Sequence, residues 1–115
     1  MNLTRDEAQA LTKSLAQRLK EKATLNQRVL ICPPSIHLSD AIASAGPDGP
    51  LEVGAQNMHQ ADSGAYTGEL SGAMLLSHGI RTVLVGHSER RAYFYEDNHL
   101  LKQKVDAALG QGIEV

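Results

Sequence analysis

Residues 84–94, LVGHSERRAYF, put an imidazole, a hydroxyl, a carboxylate and two guanidinium groups in a row as His87, Ser88, Glu89, Arg90 and Arg91, after a short apolar run and one glycine. These are side chains that donate protons and pair charges, and three of the five are formally charged. A buried strand emptying into a reaction site needs such groups at its mouth. A charged helix start behind a buried strand accounts for the same residues. A second polar stretch, residues 56–69, carries Gly64 and Gly68 and reads either as an ordered functional loop or as an exposed flexible one. Other chemistries have less behind them. His37, His59, His78 and His99 do not stand at metal-ligand spacing, and Cys32 is the only cysteine and has no identifiable base beside it in the sequence. Cys32 therefore reads as a buried strand-end thiol, and the histidines as surface or loop residues. GPDGP, residues 46–50, is a turn and not a phosphate loop, because no helix carrying Lys and Ser or Thr follows it.

The elements that must position these groups follow from periodicity. Thr4 followed three residues on by Glu7 forms a capping box, and Ala8, Leu11, Leu15 and Leu19 repeat at helical spacing, which predicts an amphipathic helix with that face inward. RVLICPP, from Arg28, reads as a strand stopped by Pro33 and Pro34. Leu38, Ala41 and Ile42 predict a short helix, LEVGAQN a strand from Leu51, and SGAMLLSHG a brief helix from Ser71 that stops at Gly79. RTVLVG is the next strand. DNHLLKQKVDAALGQG predicts a helix with Leu101, Val105 and Ala108 inward and Gly110 or Gly112 beyond its end, and IEV begins another strand. Strand starts at Arg28, Leu51, Thr82 and Ile113, with a helix between each pair, have the rhythm of βαβ units and a parallel sheet. The class is α/β, and the unusual polar segments all follow strand ends, where chemistry collects in such sheets.

Bulk properties narrow the setting. A chain of 115 residues suits one domain, residues 1–115, with a real core. Eleven basic residues against thirteen acidic ones, with no single-sign block, give no support to nucleic-acid or membrane-surface binding. No apolar run approaches the ~18 residues of a membrane span, no basic start precedes an apolar run as in a signal peptide, and no internal disulfide can form, which predicts a soluble, cytoplasmic protein. Tyr66, Tyr93, Phe94 and Tyr95 are the only aromatics and there is no Trp, so the core must be aliphatic, as suits a parallel sheet.

GAQNMHQADSGAYTGELS and VLVGHSERRAYFYED, at the separation they have here, closely resemble the triosephosphate isomerase family. The resemblance runs along essentially the whole chain, from MN, similar to the tail of the family's first-strand motif, to IEV, similar to the start of its fifth strand. A (β/α)8 barrel typically needs ~250 residues, so the resemblance implies an N-terminal fragment of slightly less than half a barrel. It implies interconversion of dihydroxyacetone phosphate and glyceraldehyde 3-phosphate through an enediolate, in glycolysis and gluconeogenesis, without metal or organic cofactor. The small phosphorylated triose is then the substrate, and a homodimer is the family's full-length form.

By the same resemblance His87 is the electrophilic histidine. An imidazole just ahead of a helix N-terminus sits in a positive field that keeps it neutral; this account belongs to the family itself and is not a derivation from the present sequence. Ser88 is placed to cap that helix and Glu89 lies in its first turn, where negative charge is favoured. The resemblance makes Thr67 the tip of a loop that enters a neighbouring subunit and sets Glu69 near the partner's Arg90. Glu96 resembles a buried structural carboxylate near that interface, and Gln56 and Asn57 the polar base of the loop. The family's lysine and asparagine belong to its first strand, ahead of this stretch, and its catalytic glutamate, closing loop and phosphate grip to its second half. The 115-residue chain alone is accordingly expected to be inactive. The alternative is a non-catalytic half barrel that self-associates or complements another half.

Overall fold

The computed structural model describes residues 2–22 and 27–115. The reading of Met1 as part of a first-strand tail lies outside these residues. The chain divides into two compact units, Met1–Gly54 and Ala55–Val115.

In the first unit, helix α1 spans Arg5–Glu21 and starts where the sequence signals it. Glu7 Oε2 accepts from the backbone N–H of Thr4 at 2.8 Å and from its hydroxyl at 2.7 Å, so a donor left over at the helix start is satisfied. These bonds hold the Glu7 carboxyl below its ordinary pKa. The buried face differs from the expected one. Thr12 and Ala16 are buried, Ala8, Leu15 and Leu19 are half-buried, and Leu11 is 49% exposed. The contact stripe is centred one residue further along than the leucine repeat suggests, because the small Ala16 allows close approach to Ala45 and Leu51. Thr12 tolerates burial because its hydroxyl donates to the Ala8 carbonyl at 2.8 Å.

Strands β1 (Val29–Ile31) and β2 (Leu51–Val53) pair in parallel, Val29 opposite Leu51 and Ile31 opposite Val53, with α2 (Leu38–Ala45) in the connection. This is one strand–helix–strand crossover, as the spacing predicts. Pro33 and Pro34 end β1, a 3-10 turn at Ser35–His37 leads into α2, and Gly46 stops α2 with a φ of 83°. Two bidentate ion pairs tie neighbouring segments. Arg5 donates to Asp40 at 2.6 and 2.9 Å, and Arg28 to Glu52 at 2.8 and 2.8 Å. Both carboxyls lie below their ordinary pKa, chiefly because of those guanidinium hydrogen bonds. Cys32 follows β1 and is half-buried; burial pushes its thiol pKa up, and a hydrogen bond from the Gly54 backbone pulls it only part of the way back.

In the second unit the expected strands RTVLVG and IEV shrink to single parallel pairings, Ala55 with Val83 and Thr82 with Glu114. Four backbone hydrogen bonds of 2.9 Å make them. Gly86 then turns the chain at a φ of 81°. Helix α3 (Gly72–Ser77) is capped by Ser71, whose hydroxyl oxygen accepts from the Met74 N–H, and Gly79 takes the left-handed conformation just beyond its end. Helix α4 spans Ser88–Tyr93 and α5 Asn98–Gly110. Asp97 caps α5 by accepting from the Leu100 N–H at 2.8 Å. Gly110 lies inside α5, and Gly112 supplies the left-handed residue after it. Leu101 and Ala108 are buried as expected, but Val105 is half-buried and the third buried position is Lys104. Ala55, Met58, Leu75, Ile80, Val83 and Ile113, each at most 2% exposed, complete an aliphatic core.

The shifted face of α1 has a measurable consequence. Leu11→Gln should change stability by less than about 0.5 kcal/mol, whereas Ala16→Leu on the same helix should cost about 1–3 kcal/mol through overpacking. Urea unfolding followed by far-ultraviolet circular dichroism gives both values, and equal losses would mean that the buried face has been misplaced.

Candidate functional site

The residues singled out in the second unit converge on two features, an exposed imidazole at the start of α4 and a buried charge network behind it. His87 directly precedes α4, and the cap expected of Ser88 is made by His87 instead: its Nδ1 accepts from the Glu89 N–H at 3.2 Å. Ser88 is the first helical residue, so its own backbone is already committed to α4. A ring nitrogen that accepts an N–H cannot itself carry a proton. The hydrogen of the neutral imidazole is therefore on Nε2, which is left as a donor. The His87 side chain is 50% exposed, so that donor is accessible to a solute. The Glu89 carboxylate is 3.9 Å from Nδ1 and largely exposed, and the backbone N–H, not this carboxylate, orients the ring.

Arg90 turns to the interior side of α4. Its Nε donates to Glu96 Oε1 at 2.8 Å, and its guanidinium lies over the Phe94 ring, 4.4 Å from the centroid. Glu96 is 4% exposed, and the same oxygen accepts from Lys104 Nζ at 2.6 Å. Lys104, 3% exposed, also donates to Asn57 Oδ1 at 2.7 Å, and Asn57 Nδ2 donates to Glu69 Oε2 at 3.0 Å. Five residues from four stretches of chain thus form one network: Asn57 and Glu69 at the two ends of the loop, Arg90 from α4, Glu96 from the α4–α5 link and Lys104 from α5. Burial raises the Glu96 carboxyl's pKa, but hydrogen bonds and charge from Lys104 and Arg90 outweigh it and hold the group below its ordinary value.

Between those two ends, residues 56–69 pack on themselves. The His59 N–H donates to the Leu70 carbonyl at 2.8 Å, His59 Nδ1 accepts from the Ala61 N–H at 3.0 Å, and the His59 and Tyr66 rings are 3.9 Å apart. Gln111 Nε2 donates to Asp62 Oδ1 at 2.8 Å and so ties the loop to the end of α5. Thr67 and Gln56 are both exposed. Of the residues named from the sequence, Asn57, Glu69, Arg90 and Glu96 are brought together, and His87, Ser88 and Glu89 form the start of α4. Lys104 is the member that sequence reading missed. Its signal was present, since Lys104 stands between Leu101 and Ala108 on the apolar stripe of α5, where a charge is admitted only if paired.

Lys104→Met, which removes one of the two cations that pair the buried Glu96 carboxylate and leaves Arg90 as the other, should cost about 3 kcal/mol. Because the folded-state pKa of Glu96 lies below the value of 4.5 for a free glutamate, its stabilisation is fully present above that value and is lost as pH falls through the folded-state pKa. Asp40, Glu52 and Glu7 shift in the same direction, so the difference between the wild type and Glu96→Gln isolates the contribution of Glu96. Urea unfolding between about pH 7 and about pH 3 should show a shallower acid loss in Glu96→Gln; parallel pH profiles would contradict the assignment.

A family model described as triosephosphate isomerase matches residues 1–115. Curated proteins named triosephosphate isomerase are similar along nearly the whole chain. That of Porphyromonas gingivalis is 47% identical over 113 residues, which cover 98% of this chain and 44% of the relative. That of Bacteroides fragilis is 44% identical over 113 residues with the same coverage. That of Flavobacterium psychrophilum is 43% identical over 109 residues, 95% of this chain and 42% of the relative. The chain thus spans less than half the length of the curated relatives it matches. With its α/β organisation, its polar strand-end segments and this match along its entire length, the chain belongs to the triosephosphate isomerase family.

Proposed function

We propose that a protein carrying this segment interconverts dihydroxyacetone phosphate and glyceraldehyde 3-phosphate through an enediolate, with His87 as the electrophile. The observation that carries the reading is the ring of His87, whose Nδ1 is occupied by the Glu89 N–H and whose Nε2–H is left free to donate. Aldose–ketose isomerisation moves a proton between adjacent carbons while negative charge grows on a carbonyl oxygen. A fixed neutral N–H donor stabilises that charge as it develops and needs no metal or organic cofactor. The base that takes the carbon-bound proton and the donors that hold the phosphate are assigned to the remaining length that the relatives possess, and the 115-residue chain alone is assigned no activity of its own.

The parallel pairings and intervening helices support reading residues 1–115 as one partial (β/α)8 barrel domain. In the homodimer proposed for the longer protein, Thr67 is the exposed tip that a partner receives, with Gln56 and Asn57 at the base of its loop. Glu69, Arg90 and Glu96 stand in or beside the contact. Support comes from the loop's internal hydrogen bonds and from the buried network at its ends, which give a partner a preformed surface. The setting is cytoplasmic, with a small phosphorylated substrate and neither nucleic acid nor membrane as partner. Among the described residues no helix is long and apolar enough to cross a membrane.

Isomerase turnover by the longer protein should fall about 10²- to 10³-fold in His87→Gln, and the 115-residue chain alone should stay near background. Undiminished turnover in the variant would remove His87 from the reaction. Turnover by the isolated chain, abolished by the same substitution, would overturn the assignment of the remaining machinery elsewhere.

A further inference from the structure

We infer that Arg91 holds the peptide that enters His87 and thereby sets the direction of the imidazole, as a positioning residue for the proposed reaction. The inference rests on reading His87 as an Nε2 donor. Gly86 has a φ of 81°, in the left-handed region that glycine enters freely, and nothing in its own backbone resists a rotation of the Gly86–His87 peptide. Arg91 supplies that resistance. Its Nε donates to the Gly86 carbonyl at 2.9 Å and its Nη1 donates to Asn98 Oδ1 at 2.8 Å. One planar guanidinium therefore links the carbonyl of the peptide before His87 to the first residue of α5, which the Asp97 cap anchors.

The backbone of α4 does not need this side chain, since the Arg91 N–H already donates to the His87 carbonyl at 3.1 Å. The side-chain bonds add an outside reference for the peptide plane from which the ring projects. The guanidinium also approaches Gly86 closely, so that a side chain there would press on it. A Cβ on Gly86 would come within 3.2 Å of Arg91 Nη2 and 3.4 Å of Leu101 Cδ1. Gly86 thus admits the guanidinium, and the guanidinium removes the freedom that Gly86 introduces. A lysine could reach one of the two acceptors with its single ammonium but could not reproduce the fork.

The test uses the ¹⁵N-labelled 115-residue chain, with the His87 ring nitrogens followed in a long-range proton–nitrogen spectrum and the Glu89 amide by hydrogen exchange. The Leu101 amide serves as the reference for global opening. The wild type should show the Nε2–H form. In Arg91→Met the Glu89 amide should exchange about tenfold faster, the equivalent of one charged hydrogen bond, and the ring signals should move toward a mixture of tautomers while Leu101 changes less. Asn98→Ala should act in the same direction more weakly, and Arg91→Lys should fall between Arg91→Met and wild type. Should Arg91→Met open the whole chain, Asn98→Ala and Arg91→Lys decide the matter. Ring signals and Glu89 exchange that match the wild type in the variants that stay folded overturn the inference. A wild-type ring protonated on Nδ1 defeats the Nε2-donor reading itself, a failure told apart because the exchange of the Glu89 amide in the variants is measured independently of the ring.

Discussion

A carboxylate taken out of water is the constraint around which the second unit is organised. Glu96 is almost fully buried, and an isolated buried carboxylate is costly enough that it would bind a proton instead. It stays ionised because Arg90 and Lys104 both donate to one of its oxygens. Each of those cations comes from a different helix, and Lys104 reaches on to Asn57, whose amide in turn donates to Glu69. Satisfying one charge therefore fixes α4, α5 and both ends of the 56–69 loop together. The other Glu96 oxygen is buried and accepts no hydrogen bond from the described residues, so the carboxylate depends on donors converging on a single atom.

That constraint bears on chemistry through α4. The tautomer of His87 is set by a local hydrogen bond, the Glu89 N–H to Nδ1, at the start of this six-residue helix, and that bond exists only if the start of α4 is held in place. Arg90 holds the helix from its buried side and Arg91 from its exposed side, so adjacent residues of one motif perform opposite halves of the same task. The two arginines following the histidine are thus ties to neighbouring segments rather than a bare run of surface charge.

Signals in the sequence match the structure where the physics is local. The Thr4–Glu7 box, the prolines after β1, the turn at Gly46, the glycine stop at Gly79 and the first strand–helix–strand crossover depend largely on groups within a few residues of one another, and the structure has them. The inward face of α1 lies one residue away from the one its leucine repeat predicts, because that repeat shows which side is apolar, not which position a neighbouring element approaches. Serine is the usual capping residue and Ser88 is the expected cap of α4, but His87 occupies the cap position and its ring carries an acceptor that reaches Glu89.

The amino-acid sequence by itself determined the family and the α/β class, since each is encoded in residue type and short-range spacing. Only the tertiary structure decided that Lys104 is buried, that Glu96 gathers two cations on one oxygen, and which nitrogen of His87 is left to donate. Those outcomes depend on groups separated by up to 47 residues along the chain, as Asn57 and Lys104 are, being brought within hydrogen-bonding distance. The energy of a buried charge is set by what surrounds it in space, and no periodicity in the chain records those surroundings.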